Sequence, residues 1–246
     1  MYYRLFDMKI TLLKTIILAV SVFGIATSPA ATILFTDTLP TSDVIRSNTG
    51  AKTGDIQVRN YGSTPTSNNR WVGVGFSTIS AISLDKVTFF IASNGTPTAT
   101  ALGASMTISI VSLASLTASP SAPFTPLYSE SATVPTTYNN ESYITFDLAS
   151  SYSLSANSYY GVLVSFDTNA NNRAMNFTQV SSTGGKSGIG DTFYTADQGA
   201  TYTNNTAALN FVAQSVPEPS TTALLAIVGG AAIASIYRSR RRSAKA

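Results

Sequence analysis

The side chains that could do chemistry in this sequence are carboxylates, serine hydroxyls and aromatic rings, because the 246 residues include no cysteine and no histidine. Without cysteine there is no disulfide, no thiolate nucleophile and no cysteine-bearing zinc site. Without histidine, the commonest general base and the commonest transition-metal ligand are absent, so the many serines lack their usual activating partner. We therefore expect no catalytic residues, no metal site and no cofactor, and we expect that the protein is not an enzyme.

The carboxylates between the two ends are scattered along the chain. Glycoside hydrolysis needs two acidic side chains that face one cleft, about 5 to 10 Å apart. No sequence spacing pairs the candidates, which are Asp85, Glu130, Glu141, Asp147, Asp167, Asp191 and Asp197. A glycan hydrolase is therefore the least favoured function.

One segment has part of the spacing of a calcium-binding loop. Asp167, Asn169 and Asn171 place oxygen ligands at positions one, three and five of such a loop. The expected glycine at position six is Asn172, and the closing glutamate at position twelve is Thr178. An Asx-rich hairpin loop is the favoured interpretation, and calcium binding by the three residues stays open.

The aromatic side chains could stack on sugar rings. Trp71, Tyr159 and Tyr160 are the candidates for an exposed aromatic platform of a carbohydrate-binding module. Aromatic residues of β proteins more often belong to the core, so burial of these three would count against that function.

The elements that must position these residues are β-strands. Short runs rich in β-branched and aromatic residues, several of them alternating between apolar and polar, predict strands. These runs are 32–36, 55–59, 70–76, 86–92, 105–111, 142–148, 159–166, 174–178 and 208–212. Turn-forming residues separate them, such as Pro120, Pro123 and Pro126. The pattern predicts an all-β ectodomain over residues 32–215, a jelly-roll-like two-sheet sandwich.

The net charge of +3 is unevenly distributed. Residues 32–215 contain seven lysines and arginines against ten acidic residues, so the predicted domain is negative and the positive excess lies at the two ends. Basic residues beside apolar segments set membrane orientation. The domain has no basic patch of the kind that binds nucleic acid, and we expect no nucleic-acid partner.

Residues 1–31 have the pattern of a signal peptide. A weakly basic start precedes an apolar run over 15–26, which is shorter than the about 20 residues that a membrane span needs. Small residues follow, and they predict cleavage after Ala30 or Ala31. A start at Met8 instead of Met1 would place Lys9 and Lys14 directly ahead of the apolar run.

The C-terminal residues 216–246 form a three-part tail. Val216, Pro217, Glu218 and Pro219 begin it, and the prolines favour an extended, accessible segment. Residues 221–237 are uncharged and predict one transmembrane helix. The basic tail 238–246 would stop translocation in the cytoplasm through its arginine cluster, which is Arg238, Arg240, Arg241 and Arg242. The predicted topology is type I.

This tail resembles the PEP-CTERM sorting signal of bacteria that make exopolysaccharide. The resemblance covers residues 216–242 and includes the motif, the apolar stretch and the arginine cluster. It implies that an exosortase, an integral-membrane processing enzyme, recognises Pro217, Glu218 and Pro219 and removes the tail. The membrane span would then be transient, and the exported protein would reach the cell surface or the extracellular space after processing.

The region from Trp71 to Phe166 resembles the choice-of-anchor ectodomains of bacterial surface proteins. The features that carry this likeness are the runs 83–91 and 154–164. The resemblance implies a β ectodomain and brings no activity with it. The function we favour is a structural or adhesive component of the cell surface or polysaccharide matrix, and the alternative is a carbohydrate-binding module of the exopolysaccharide matrix.

The first prediction concerns the N-terminus of the exported protein. It should begin near Ala31 or Thr32, because small residues there follow an apolar run too short to remain as a span. Mass spectrometry of the exported protein measures this directly. Recovery of peptides from residues 15–26 in that fraction would show that the segment is retained.

Overall fold

The computed structural model describes residues 30–62, 69–93, 95–167, 172–180 and 188–216, and within them the chain forms fourteen β-strands and no helix. The all-β class is therefore confirmed for this part of the chain. The strands are β1 (Thr32–Thr36), β2 (Val44–Asn48), β3 (Lys52–Asn60), β4 (Trp71–Ser77), β5 (Ile82–Phe90), β6 (Ser105–Ser112), β7 (Tyr128–Thr133), β8 (Tyr143–Leu154), β9 (Tyr159–Phe166), β10 (Arg173–Val180), β11 (Ile189–Thr195), β12 (Thr203–Asn205), β13 (Ala208–Leu209) and β14 (Phe211–Ser215).

The strands form three antiparallel sheets. Sheet I has five strands in the order β1-β8-β5-β14-β2, and sheet II has six in the order β12-β11-β4-β9-β6-β7. Sheet III has three strands in the order β13-β10-β3. From β4 to β6 and again from β8 to β9, consecutive strands alternate between sheets I and II, as in a β-sandwich. The third sheet is an addition to the two sheets predicted.

Each predicted run overlaps a strand, but four strands were not predicted. These four are β2, β7, β11 and β12. Strand β7 shows why, because its exposed face carries only Ser129, Ser131 and Thr133, and its inward face holds Tyr128, Glu130 and Ala132. Such a strand alternates in burial without alternating clearly in hydrophobicity, so its period of two is invisible in the sequence.

Asn210 joins sheet III to sheet I. It lies between β13, which pairs with β10, and β14, which pairs with β5 and β2. Its N–H donates to the carbonyl of Thr178 in β10 at 2.9 Å, and its own carbonyl accepts from the N–H of Phe90 at 3.1 Å. One chain segment is therefore bonded into both sheets.

The core lies between the sheets and is continuous across all three. Phe89 is its centre: its ring stacks on Phe177 of sheet III at a centroid distance of 5.0 Å and on Phe211 at 6.3 Å. It also meets Phe146 edge-on at 6.1 Å. All four rings are buried. Aromatic contacts of this kind add to the apolar area that each ring buries, so the three sheets share one core.

A second, smaller cluster covers the outer face of sheet II. The segment 113–127, here called the proline loop, lies over this face and contributes Leu113 and Phe124 to the cluster. From the sheet come Phe193 and Leu163. The proline loop can lie this close to the sheet because residue 190 is a glycine. A Cβ atom at this position would lie 1.8 Å from the carbonyl oxygen of Leu116. The backbone of the loop therefore rests directly on the sheet.

Gly190→Ala should lower the free energy of unfolding by about 2 kcal/mol or more, because the added methyl group forces two backbone segments apart. Gly54→Ala is the matched control: it also changes a strand glycine, but its Cβ would meet only the end of the Gln179 side chain, at 3.6 Å. That variant should be neutral or slightly more stable. Urea denaturation of the two variants measures the difference, and equal stability would mean that the proline loop is not seated on Gly190.

Candidate functional site

The predicted sorting motif begins where the described part of the chain ends. Val216 is 39% exposed, and its N–H donates to the carbonyl of Ser83 at 3.2 Å. Pro217, Glu218, Pro219 and the arginine cluster lie outside the described residues. Among the residues that are described, no helix is long and apolar enough to cross a membrane, and the predicted span 221–237 is not one of them.

The candidate calcium loop is described only at its start. The carboxylate of Asp167 accepts a hydrogen bond from the guanidinium of Arg173, and its carbonyl accepts one from the side-chain amide of Asn60. Asn169 and Asn171 lie outside the described residues. The ion pair with Arg173 joins the end of β9 to the start of β10. These two strands lie in different sheets and do not pair with each other, so the segment connects sheet II to sheet III and the expected hairpin loop is wrong. Within the described ranges no three acidic side chains lie close enough to hold a metal ion.

The structure brings together two carboxylates that the sequence did not pair. Asp147 lies opposite Lys86 in neighbouring strands, and the two side chains form an ion pair. Asp85 precedes Lys86 at an irregularity of β5. Burial, and next the charge of Asp147, raise the pKa of Asp85, whereas Lys86 lowers it. The side chains of Lys86 and Asp147 are 37% and 31% exposed, and the lysine already neutralises one of the two acids. This arrangement is an ion pair with a neighbouring acid, and it lacks the free carboxylate pair that glycoside hydrolysis needs.

Asp197 organises the turn after β11. Its carboxylate accepts hydrogen bonds from the hydroxyl of Thr195 at 2.5 Å and from the N–H and hydroxyl of Thr201 at 2.9 and 2.5 Å. Burial raises the pKa of Asp197, but these hydrogen bonds outweigh it and hold the pKa at about 2. The turn places Gly199, with φ of +93°, against the ring of Trp71. The acid therefore has a structural role.

The three candidate sugar-stacking aromatics have different environments. Tyr160 is 7% exposed, and its hydroxyl accepts the N–H of Ser155 at 2.8 Å, so it belongs to the core. Tyr159 is 41% exposed. Trp71 is half-buried and meets the ring of Phe124 edge-on at 5.4 Å. The three rings therefore form no common platform.

A small pocket lies beside the proline loop. Its volume is about 160 Å³, and its lining includes Val111, Pro120, Pro123 and Leu127 together with serine and threonine hydroxyls. Pockets that enclose small-molecule ligands usually have about 300 Å³ or more. The pocket is therefore too small to enclose a sugar ring with its substituents.

Two arginines that no sequence pattern indicates as functional lie side by side. Arg59 at the end of β3 and Arg70 just before β4 exchange backbone hydrogen bonds at 3.0 and 2.8 Å. Both side chains are half-buried. Each guanidinium lies over a tyrosine ring, that of Arg59 over Tyr61 and that of Arg70 over Tyr194. Their sequence separation does not predict this contact, because it depends on the antiparallel bridge between their backbones.

Comparison with known proteins shows a distant likeness to a solved structure. No protein-family model matches the sequence, and no curated protein matches it. Among solved structures, the chain is similar to one described as the cysteine protease and lectin-like domains of Cwp84, a surface layer associated protein of Clostridium difficile. The two share 17% sequence identity with a TM-score of 0.44, over 73% of this chain and 37% of that chain.

A likeness at this level carries no argument about function. The chain spans 37% of the length of that structure. It also contains no cysteine, so it cannot supply the nucleophile of a cysteine protease.

The pKa of Asp85 is raised and the pKa of Asp197 is lowered, so replacing each acid with asparagine should change the stability of the fold in opposite directions. The raised pKa of Asp85 means that protonation favours the folded state, so the Asp85→Asn variant should be more stable than wild type near pH 7, by less than about 1 kcal/mol at this half-exposed position. The gain should shrink as the pH falls through the raised pKa. It should vanish below the ordinary value of 3.8, where wild-type Asp85 is also neutral.

Asp197→Asn provides the control of opposite sign. It should lose about 1 kcal/mol at pH 7, a value reduced for solvent screening, because it removes the charge that the threonine hydrogen bonds stabilise. This loss should diminish only as the pH falls from 3.8 towards about 2. Urea denaturation at pH 7 and pH 3 measures both variants. A less stable Asp85→Asn variant at pH 7 would contradict the assignment of Asp85.

Proposed function

We propose that this chain is an exported protein of the cell surface or extracellular matrix that is delivered through its C-terminal tail. The observation that carries the proposal is the order of parts after the last strand: Val216, Pro217, Glu218 and Pro219, then the uncharged stretch 221–237, then the arginine cluster. An exosortase reads the motif and cuts the tail, which spans the membrane only until that step. The end of β14 at Ser215 supports this, since the motif follows directly after the last described strand.

The β domain itself has a structural or adhesive role in this proposal. Its described acids are engaged in local contacts that leave little free for catalysis: Asp55, Asp147 and Asp167 form ion pairs, and Asp197 closes a turn. Glu130 accepts the hydroxyl of Tyr128 and the N–H of Ala149. Groups held in this way stabilise loops and edges, as expected of a scaffold.

The strand order supports a jelly-roll assignment for the sandwich. Sheet I contains β2-β14-β5-β8 and sheet II contains β4-β9-β6-β7. These two sets of four are the pattern of two interleaved Greek keys, with β1 added at one edge and β11 and β12 at another. Sheets of this kind serve as rigid scaffolds whose faces and loops carry binding surfaces.

A carbohydrate-binding module of the exopolysaccharide matrix is the second candidate. The observation that favours it is the exposure of Tyr159, which is 41% exposed at the start of β9, next to the core residue Tyr160. An exposed tyrosine on a sheet can stack on a sugar face. A single ring gives weak binding, so this candidate depends on further contacts.

The sorting proposal predicts that the Glu218→Gln/Pro219→Ala double variant remains uncut in the membrane fraction, while wild-type protein loses its tail. Neither residue lies within the apolar stretch, so a simple anchor would tolerate both changes. The measurement is a blot of membrane and surface fractions with antiserum against residues 32–215, in a host that carries an exosortase.

The matched control is Ser220→Ala/Thr222→Ala, which changes two polar residues beside the motif and should leave processing as in wild type. If the motif variant and the wild type are processed to the same extent, the tail is an ordinary membrane anchor and the sorting proposal fails.

A further inference from the structure

Arg59 and Arg70 form a fixed pair of positive charges on the protein surface. Their reciprocal backbone hydrogen bonds, at 3.0 and 2.8 Å, define a hydrogen-bonded antiparallel pair. In such a pair the two Cα atoms lie about 5.5 Å apart and both side chains project from the same face. The backbone therefore places the two side chains next to each other where they leave the sheet.

Two tyrosine rings hold the guanidinium groups in place. The guanidinium carbon of Arg70 lies 4.9 Å from the ring centroid of Tyr194, and that of Arg59 lies 5.3 Å from the ring of Tyr61. The hydroxyl of Tyr61 donates to the side-chain carbonyl of Gln57 at 2.8 Å, which fixes this ring in turn. Stacking on rings leaves the outer N–H groups of both forks available to an acceptor.

No acid of the described part of the chain neutralises the pair. The ion pairs there use Lys52, Lys86 and Arg173 as cations. The Nε atoms of Arg59 and Arg70 are both buried without a hydrogen-bond acceptor. Burial, and next the positive charge of Arg59, lower the pKa of Arg70, while Tyr194 and Tyr61 act in the opposite direction. Like charges placed directly opposite each other destabilise a sheet.

The unpaired charges therefore cost stability in the free protein, and an anion would relieve that cost. The net charge of the rest of the domain indicates which kind of anion can bind. Residues 32–215 carry more acids than bases, so they repel a densely charged polymer such as a nucleic acid. A short oligosaccharide that carries only a few carboxylates meets a much smaller penalty. The two oxygens of a carboxylate match the forked N–H groups of arginine.

We propose that Arg59 and Arg70, with Tyr61 and Tyr194, bind the carboxylate of an acidic sugar unit in a polysaccharide. The guanidinium groups hold the carboxylate, and Tyr61, which is 36% exposed, gives the attached sugar ring an apolar surface. This proposal deepens the surface and matrix role above and rests on it for the choice of a glycan over other carboxylates.

The test uses the full-length chain in a non-ionic detergent, with trigalacturonic acid as the probe and maltotriose as the neutral probe of equal length. Wild type should bind trigalacturonic acid, and maltotriose should bind at least tenfold more weakly. The Arg59→Gln/Arg70→Gln variant should bind trigalacturonic acid at least tenfold more weakly than wild type. Arg70→Lys should also bind it more weakly, because an ammonium group lacks the fork. Isothermal titration calorimetry at low and moderate salt measures the affinities.

Arg46→Gln is the matched control. Arg46 is another half-buried arginine outside every ion pair of the described residues, and it donates to the carbonyl of Ile45. Its loss should leave binding unchanged. The urea midpoint of Arg59→Gln/Arg70→Gln should be equal to that of wild type or higher, because the change removes a like-charge contact, and this shows that any lost binding is not lost folding.

Several results would overturn the proposal. One is no binding of trigalacturonic acid by wild type, and another is equal binding of maltotriose. If inorganic sulfate binds as tightly as trigalacturonic acid and depends equally on the two arginines, the site recognises an anion alone. The assignment to an acidic sugar unit is then wrong. Tail processing of Arg59→Gln/Arg70→Gln should match wild type. A failure of binding with processing intact therefore counts against this site alone, while failed processing of the wild type counts against the surface role.

Discussion

The structure depends on one chain segment, residues 208–215, that is hydrogen-bonded into two sheets at once. A strand with neighbours on both sides cannot slip by one residue without moving every side chain to the wrong face. Its first part pairs with β10 and its second part with β5 and β2, so the register of sheet III and that of sheet I fix each other through Asn210. The aromatic contacts of Phe89 with Phe177 and Phe211 fill the junction that this segment creates. The antiparallel bridge between Ile91 and Phe177 joins the same two sheets a second time, just after β5.

The strands with large alternating side chains were predictable from the sequence, and the rest was not. The runs that became β4, β5, β8 and β9 bury apolar residues at every second position, which is the signal that a sequence displays directly. The third sheet forms because the chain changes its partner strands at Asn210, and no local sequence pattern predicts such a change. The same limit applies to surface chemistry. Asp85 and Asp147 meet only through the register of β5 and β8, and Arg59 meets Arg70 only because the chain turns back between β3 and β4.

The proposal about delivery rests on the sequence, and the proposal about binding by the β domain rests on the structure. The delivery signals proposed at the two ends of the chain are linear sequence patterns, so they can be predicted without the fold. The domain between them has no histidine or cysteine, and its described acids are largely engaged in contacts that stabilise it. Arg59 and Arg70 lie outside the ion pairs of the described residues, on a domain whose net charge is negative. A scaffold of this kind can recognise a ligand by geometry and charge.

The position of β14 also determines how the domain responds to tension. Val216 directly follows a strand that lies between β5 and β2 and is bonded to both. A force applied along the strand axis through the following residues loads both rows of hydrogen bonds in shear, so that they must rupture together. An edge strand pulled sideways would instead unzip one bond at a time. A domain held by its C-terminal end would therefore resist drag or flow through the interior of its sheet, where the mechanical resistance of an antiparallel sheet is greatest.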